Sequence, residues 1–282
     1  MNKLELKNLQ YIYGKNTPFE QTGLGDVNIS IKSGELIGII GHTGSGKSTL
    51  VQTLNGLIKP DSGEVLLDGK NIWEDPKEIR SVRFRVGLVF QYPEHQLFDE
   101  TVRKDIAFGP INMGLSEEEI EKRVISAADF TGLKHELLDK SPFELSGGEK
   151  RRAAIAGVIA MDPEVIIFDE PTAGLDPKGR ELLLSQIQKY HKEKNKTVLL
   201  VSHSMEDIAK IADRVLVMNK GRVEMFGTAK EVFSRVDELK SIGLRPPQIT
   251  EITEALRSKG YNIPDGILTI EDAINALMPI LK

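Results

Sequence analysis

The chain has no cysteine among its 282 residues. That excludes disulfides, thiolate nucleophiles and cysteine-bound zinc, and it fits a reducing compartment. Nor does any apolar run approach the roughly 18 residues that a membrane-crossing helix needs. The N-terminus, Met1-Asn2-Lys3-Leu4-Glu5, opens straight into alternating strand-like residues instead of a targeting segment. No direct membrane span is expected, so a membrane role would have to come through partners. Concentrated positive charge is missing too: the formal net charge is -5, with Lys and Arg scattered along the chain. Without a basic stripe to follow a phosphate backbone, nucleic acid is not an expected partner. The five histidines show no metal-ligand spacing.

What is present suits one large α/β domain with a small appendage, built around an ordinary apolar fraction of 40%. Leu4 to Gln10 and Val27 to Ile31 alternate apolar with polar, which predicts half-buried antiparallel strands. Leu36 to Ile40, Val86 to Phe90, Val165 to Phe168 and Val198 to Val201 are short, nearly continuous apolar runs, as in a parallel sheet covered on both faces. Glu117 to Phe130 predicts an amphipathic helix inside a helical insertion, with Ser116 and Glu119 spaced as a capping box. Arg151 to Met161 and Arg180 to Lys194 predict two further helices. From about Ser241 the character changes. Arg245-Pro246-Pro247 reads as a stiff linker, followed by a helix face at Ile249, Ile252 and Leu256. A last helix is predicted behind a Thr269 and Asp272 cap, with Ile270, Ala273, Ile274 and Leu277 on one side. This tail looks too short for a core of its own, so its apolar faces are expected to rest on the main domain or on another subunit.

The most informative segment is Gly41-His42-Thr43-Gly44-Ser45-Gly46-Lys47-Ser48, with Thr49 next, between a strand-like run and a helix-like stretch. It matches the phosphate-loop pattern, whose glycines let backbone N–H groups turn inward around phosphate oxygens. Lys47 is placed for the β and γ phosphates and Ser48 for Mg²⁺, while the helix beginning near Gly46 favours an anion. The chain is therefore expected to bind a nucleoside triphosphate with Mg²⁺. Val165 to Phe168 ends in Asp169 and Glu170, and strand ends are where ligands bind in open α/β sheets. Asp169 suits a direct or water-mediated hold on Mg²⁺. Glu170 suits the polarisation of water toward the γ-phosphoryl group. Leu145-Ser146-Gly147-Gly148-Glu149 opens a second helix with exposed backbone N–H groups. One chain has no obvious need of two such helix ends, so this one is expected to close over the nucleotide of a second subunit.

With those residues in hand, the chain resembles the ATPases of ABC transporters. The phosphate loop, the Leu145 to Glu149 signature, the strand ending at Asp169 and Glu170, Ala173-Gly174-Leu175-Asp176, and Ser202-His203 stand in that family's order over about the first 230 residues. The resemblance implies ATP as the nucleotide, and a parallel core sheet with an antiparallel N-terminal subdomain. It also implies an ATPase domain over 1–240, a helical subdomain at about 92–160, and a helical extension over 241–282. Gln91 matches the glutamine that joins the nucleotide and its Mg²⁺ to the transmembrane contact. His203 matches the switch histidine that touches the γ-phosphate and orients the attacking water. Tyr13 matches the aromatic that stacks on adenine, and Asp176 a residue that lies across the dimer interface from the partner's phosphate loop. The family usually carries glutamine where this chain has Glu149, which puts the rate in question more than the role.

Gln91-Tyr92-Pro93-Glu94-His95-Gln96-Leu97-Phe98 resembles the longer glutamine loop of energy-coupling factor (ECF) transporter ATPases. Phe108-Gly109-Pro110, Ser141-Pro142-Phe143-Glu144 and Ile155-Ala156-Gly157-Val158 resemble the second of the two paralogous ATPases in those complexes. The tail is similar to the extension through which the paired ATPases touch. This resemblance implies a heterodimer with a paralogous ATPase at the cytoplasmic face of the cell membrane. A membrane scaffold subunit and a substrate-binding membrane subunit would complete an importer of a vitamin or similar micronutrient. Grooves near Gln91 and the residues after it would pass closure of the ATPase pair to helices of the scaffold, so that replacing Glu94 and Gln96 together is expected to uncouple transport and leave ATP binding intact. The alternatives are the ATPase of another ABC importer, such as one for transition-metal ions, or a non-transport ATP-dependent clamp.

Overall fold

The computed structural model describes residues 2–278. Strands β1 (Asn2–Tyr13), β2 (Gln21–Lys32) and β3 (Leu36–Ile40) lead into helix α1 (Lys47–Leu54), followed by β4 (Ser62–Leu67) and β5 (Lys70–Asn71). Then come α2 (Ile79–Arg85), β6 (Val86–Val89), α3 (Val102–Asn112), α4 (Glu117–Thr131), α5 (Gly147–Ile159) and β7 (Val165–Asp169). The body closes with α6 (Pro177–Lys194), β8 (Thr197–Val201), α7 (Met205–Ile211), β9 (Arg214–Asn219), β10 (Arg222–Thr228), α8 (Ala229–Phe233) and α9 (Val236–Ser241). The tail holds α10 (Gln248–Ser258) and α11 (Ile270–Leu277).

The strands form two sheets, ordered β2-β1-β4-β5 and β10-β9-β3-β8-β7-β6. The first is antiparallel, and the second is parallel from β9 to β6 with β10 antiparallel at its edge. Every residue of β3, β7 and β8 is buried, which explains why their sequences run apolar without alternation. The side-chain period of two is still at work inside them. Ile37, Ile39, Ile167, Leu199 and Val201 face a core shared with the antiparallel sheet and with Leu50 and Leu54 of α1. Leu36, Ile40, Ile166, Phe168, Val198 and Leu200 face the opposite core, closed by Leu183, Leu184, Ile187 and Tyr190 of α6, Ile208 of α7 and Phe233 of α8. A third cluster, made by Val102, Ile106, Val124, Ala127, Ala128, Ala153 and Ala156, holds α3, α4 and α5 together.

Several local features differ from the sequence reading. Helix α5 starts at Gly147, ahead of Arg151, because Ser146 and Glu149 form a complete capping box. Helix α6 likewise starts at Pro177, behind an Asp176 cap. At α4 the box is only half made: Ser116 accepts from the Glu119 backbone N–H, but the Glu119 carboxylate goes to Arg123 at 2.9 Å. The tail does build a small core of its own, from Ile263, Ile267 and Ala273 with Ile249, Leu256 and Leu277 against them. Pro246 and Pro247 are buried, so the expected linker is packed down. Ile252, Ile270 and Ile274 remain 53%, 65% and 54% exposed, which splits the predicted apolar faces between an inner and an outer edge.

Candidate functional site

Four neighbouring strands, in the order β3-β8-β7-β6, deliver their carboxyl ends to one edge of the sheet. That edge carries the phosphate loop after β3, His203 after β8, Asp169 and Glu170 at the end of β7, and Gln91 after β6. The loop backbone is tightly held. Gly41 stands at φ 151°, where a Cβ would come within 2.3 Å of the Met218 carbonyl oxygen, so only glycine fits. The Lys47 ammonium donates to the carbonyls of Gly41 at 2.7 Å and His42 at 2.9 Å. Burial lowers its pKa, and the nearby Glu170 and Asp169 charges act the other way. Asp169 is 7% exposed, and burial together with the Glu170 charge raises its pKa against the Ser48 hydroxyl and Lys47. Two oppositely shifted groups thus lie side by side under the loop.

Glu170 has a left-handed backbone, φ 51°, an unfavourable conformation for a non-glycine residue and a kind that gathers at functional sites. Its backbone N–H donates to the Val201 carbonyl at 3.1 Å. Its carboxylate lies 2.7 Å from His203 Nε2 and accepts from Gln91 Nε2 at 3.2 Å. Side chains from the ends of three adjacent strands therefore meet on one carboxylate. They face a cleft of about 470 Å³ that is also lined by Tyr13, Thr43, Gly44, Gly46, Lys47, Ser48 and Thr49. That volume is in the usual range for a small-molecule site. Tyr13 forms its far wall, 41% exposed, with its hydroxyl 2.9 Å from Thr49 Oγ1. The ring can lie there because Gly23 has no side chain: a Cβ would meet Tyr13 Cε2 at 2.7 Å.

The residues present fit a magnesium-bound triphosphate. Ser45 Oγ is a buried loop hydroxyl without a hydrogen-bond partner, and Lys47 is a buried cation. Ser48 and Asp169 supply the hard oxygen donors that Mg²⁺ prefers, in the small number it takes when phosphates complete its shell. His42 contributes only backbone there, because its ring turns away to the Ile242 carbonyl, 2.9 Å from Nε2.

The signature residues lie outside this cleft. Ser146 caps α5, and its backbone N–H and hydroxyl both donate to the Glu149 carboxylate, at 2.9 and 2.7 Å. Those bonds hold the Glu149 pKa below the usual carboxylate range. The acid is folded onto its own helix end, with Gly147 and Gly148 beside it. Asp176 also stands apart, accepting from the Gly179 N–H at 2.8 Å as the cap of α6.

Sequence reading passed over Gln21 and Thr22, which line the cleft opposite the loop and carry no sequence signal beyond their strand. It also passed over Arg151, whose side chain is buried at 8% exposure. Its charged neighbours Lys150 and Arg152 gave no sign of burial, and an arginine that is buried needs a carboxylate partner. That partner is Glu94, which the sequence reading had assigned to coupling with a scaffold. The Glu94 carboxylate turns inward to the guanidinium, at 2.8 and 3.0 Å.

Comparison with known proteins agrees with this geometry. Residues 24–173 match the family model described as ABC transporter. The energy-coupling factor transporter ATP-binding protein EcfA2 of Clostridium tetani is 56% identical over 280 residues, covering 99% of this chain and 97% of that protein. The EcfA2 protein of Clostridium perfringens is 55% identical over 280 residues, with 99% and 98% covered. Among solved structures, cbiO1 from Clostridium perfringens, part of the ABC transporter complex cbiONQ, superposes with a TM-score of 0.75 at 42% identity, over 90% of this chain and 99% of that one. The dimeric post-hydrolysis cassette MJ0796, bound to ADP and Pi, gives a TM-score of 0.72 at 31% identity, over 80% of this chain and 98% of that one.

Proposed function

The chain belongs to the ABC transporter family, and on that premise we propose how its residues divide the work of ATP hydrolysis. Its function is that of the ATP-binding and hydrolysing subunit of an ECF-type importer, working with membrane components. The observation that carries the residue assignment is the meeting of Gln91 and His203 on the Glu170 carboxylate beside the Lys47 loop.

Lys47 and the backbone N–H groups of Gly44, Gly46, Lys47 and Ser48 hold the β and γ phosphates, the Ser45 N–H being engaged by the His42 carbonyl at 3.1 Å, and Tyr13 takes the adenine on its ring face. Ser48 and Asp169, with help from Gln91, would hold Mg²⁺, which would supply neutralisation of the phosphate charge. Glu170 orients water for attack on the γ-phosphoryl group, a role worth about 10² to 10⁴ in rate. His203 fixes that carboxylate and touches the γ-phosphate itself. The Ser146, Gly147 and Gly148 helix end closes on the nucleotide of a second ATPase subunit, with Asp176 across the seam. ATP can drive this closure because it contacts the closed pair better than the open one.

The second ATPase is a paralogue, and the tail pairs the two through the apolar edge left open at Ile252, Ile270 and Ile274. A membrane scaffold docks where Phe84, Leu97, Phe98, Phe108, Val158 and Met161 line an apolar groove of about 340 Å³. The chain sits peripherally, on the cytoplasmic face, beneath that scaffold; no helix among the described residues is long and apolar enough to cross a membrane. The scaffold also carries the subunit that binds the micronutrient.

The test is a mild-detergent purification of tagged Glu170→Gln protein with ATP. Recovery of a second ATPase, a scaffold and a small membrane binder is the expected result. Recovery of soluble partners alone would overturn the reading in favour of a non-transport ATPase.

A further inference from the structure

Arg151 ties together three segments that carry three different motifs. It lies in the first turns of α5, directly behind the Ser146 to Glu149 signature. Its Nε and Nη2 donate to the two oxygens of Glu94, at 3.0 and 2.8 Å, in a bidentate fork. Its Nη1 donates to the carbonyls of Pro171 at 3.1 Å and Ala173 at 2.8 Å. Glu94 belongs to the short 3-10 helix Pro93–Gln96 and stands three residues beyond Gln91. Pro171 directly follows Glu170, and the Ala173 N–H closes a turn onto the Glu170 carbonyl at 3.1 Å. The side chains of the ion pair are only 8% and 16% exposed, so solvent screens it weakly. Burial alone would raise the Glu94 pKa, yet Arg151 holds it below the usual range.

The two segments pinned by this guanidinium begin at unusual backbone positions. Tyr92 has φ 54° and Glu170 has φ 51°, both left-handed. Such conformations persist only where the surroundings over-determine them. Arg151 grips the chain immediately beyond both, and so governs where Gln91 and Glu170 stand when their side chains meet.

We propose that Arg151 is a positioning residue for hydrolysis, holding Gln91 and Glu170 in register with the signature end of α5 through Glu94, Pro171 and Ala173. Movement of α5 is thereby passed to the Glu170 carboxylate directly. This rests on the assignment of Glu170 as the group that orients water.

Arg151→Lys retains the charge but cannot hold the fork and both carbonyls at once. Glu94→Gln is nearly isosteric and keeps one acceptor. In the assembled transporter, Arg151→Lys is expected to lower kcat for ATP by about ten- to a hundredfold, as a misplacement near 1 Å does. KM and the affinity for a fluorescent ATP analogue should stay within about twofold. Glu94→Gln should shift kcat the same way by less, and the double variant should be no worse than Arg151→Lys alone. If Arg151→Lys fails to fold, Glu94→Gln decides the matter. Unchanged kcat, or nucleotide affinity lost along with it, overturns the proposal even where thermal stability falls. Glu170→Gln in the same assay separates the two ideas: retained turnover there would defeat the Glu170 assignment itself, and its loss leaves the Arg151 result to stand alone.

Discussion

The ATPase body and the tail solve the same packing problem at different scales. Around the central sheet, β3, β7 and β8 are buried along their whole length, and two large apolar cores fill both faces. Behind Pro247, two amphipathic helices enclose a small apolar cluster of Ile263, Ile267 and Ala273, and leave Ile252, Ile270, Ile274 and Met278 more than half exposed. At its ligand edge the body presents polar, charged and glycine-rich chain ends, and exposed apolar side chains stand elsewhere on it, at Phe98, Phe108, Ile111 and Phe143 among others. The tail has kept apolar surface back. Ile270, Ile274 and Met278 recur every fourth residue, a stripe along one side of α11. An open stripe on a segment with so small a core suits a pairing element.

The sharpest way to break this contrast is to cut equivalent holes in both regions. Phe168→Ala, at a side chain 1% exposed on β7 in the core beneath α6, should cost about 3–5 kcal/mol. Leu256→Ala, in the shallow tail cluster, should cost about 1 kcal/mol or less. Urea unfolding midpoints at constant slope would measure both, and equal losses would mean that the tail is as much part of the core as the sheet.

A smaller stability effect with a larger binding effect is expected from Ile270→Asp combined with Ile274→Asp. Both positions are exposed, so the unfolding free energy should stay within about 0.5 kcal/mol. Pairing with the second ATPase, followed by analytical ultracentrifugation, should weaken by about tenfold or more. Pairing that survives would show that the open stripe serves something else.

The least effect should come from a polar brace between the two sheets. Glu164 accepts from Arg85 Nε at 2.6 Å and is bonded also to Lys3, while Asp68 accepts from Lys3 at 2.9 Å. Chiefly through the Arg85 bond, and then Lys3 against burial, the Glu164 pKa falls from 4.5 to about 2. A depressed carboxylate stabilises the fold above its unfolded pKa and loses that contribution as pH falls toward the folded one. The difference in thermal midpoint between this chain and Glu164→Gln should therefore be steady near neutrality and shrink below about pH 4.5. A difference that keeps its size at pH 3 would show that the brace acts by shape rather than charge.

Much of this was legible along the chain, and the reason differs with the feature. The buried strands were readable because a parallel sheet covered on both faces demands unbroken apolar runs. The phosphate loop was readable because the chemistry of gripping phosphate through backbone N–H groups fixes glycine, lysine and serine at a set local spacing. His203 rested on the family resemblance, but Asp169 and Glu170 were likewise marked by their place at the end of a strand-like run. Each of these is a constraint within about ten residues.

Contacts between distant segments were not readable that way. Nothing local tells that Gln91, Glu170 and His203 converge on one carboxylate, since that depends on the strand order β8-β7-β6. Nothing local turns Glu94 inward to Arg151, 57 positions away, or sends the His42 ring to Ile242, 200 positions away. Nor does periodicity decide which edge of α11 is buried, because a stripe of Ile, Ala and Leu is equally suited to an inner core and to a partner. The sequence by itself determined the elements, the phosphate loop and the family's order of motifs, all set by local geometry and chemistry. Only the tertiary structure decided which charges meet and which apolar surface stays open, because those depend on how sheets and helices are stacked in space.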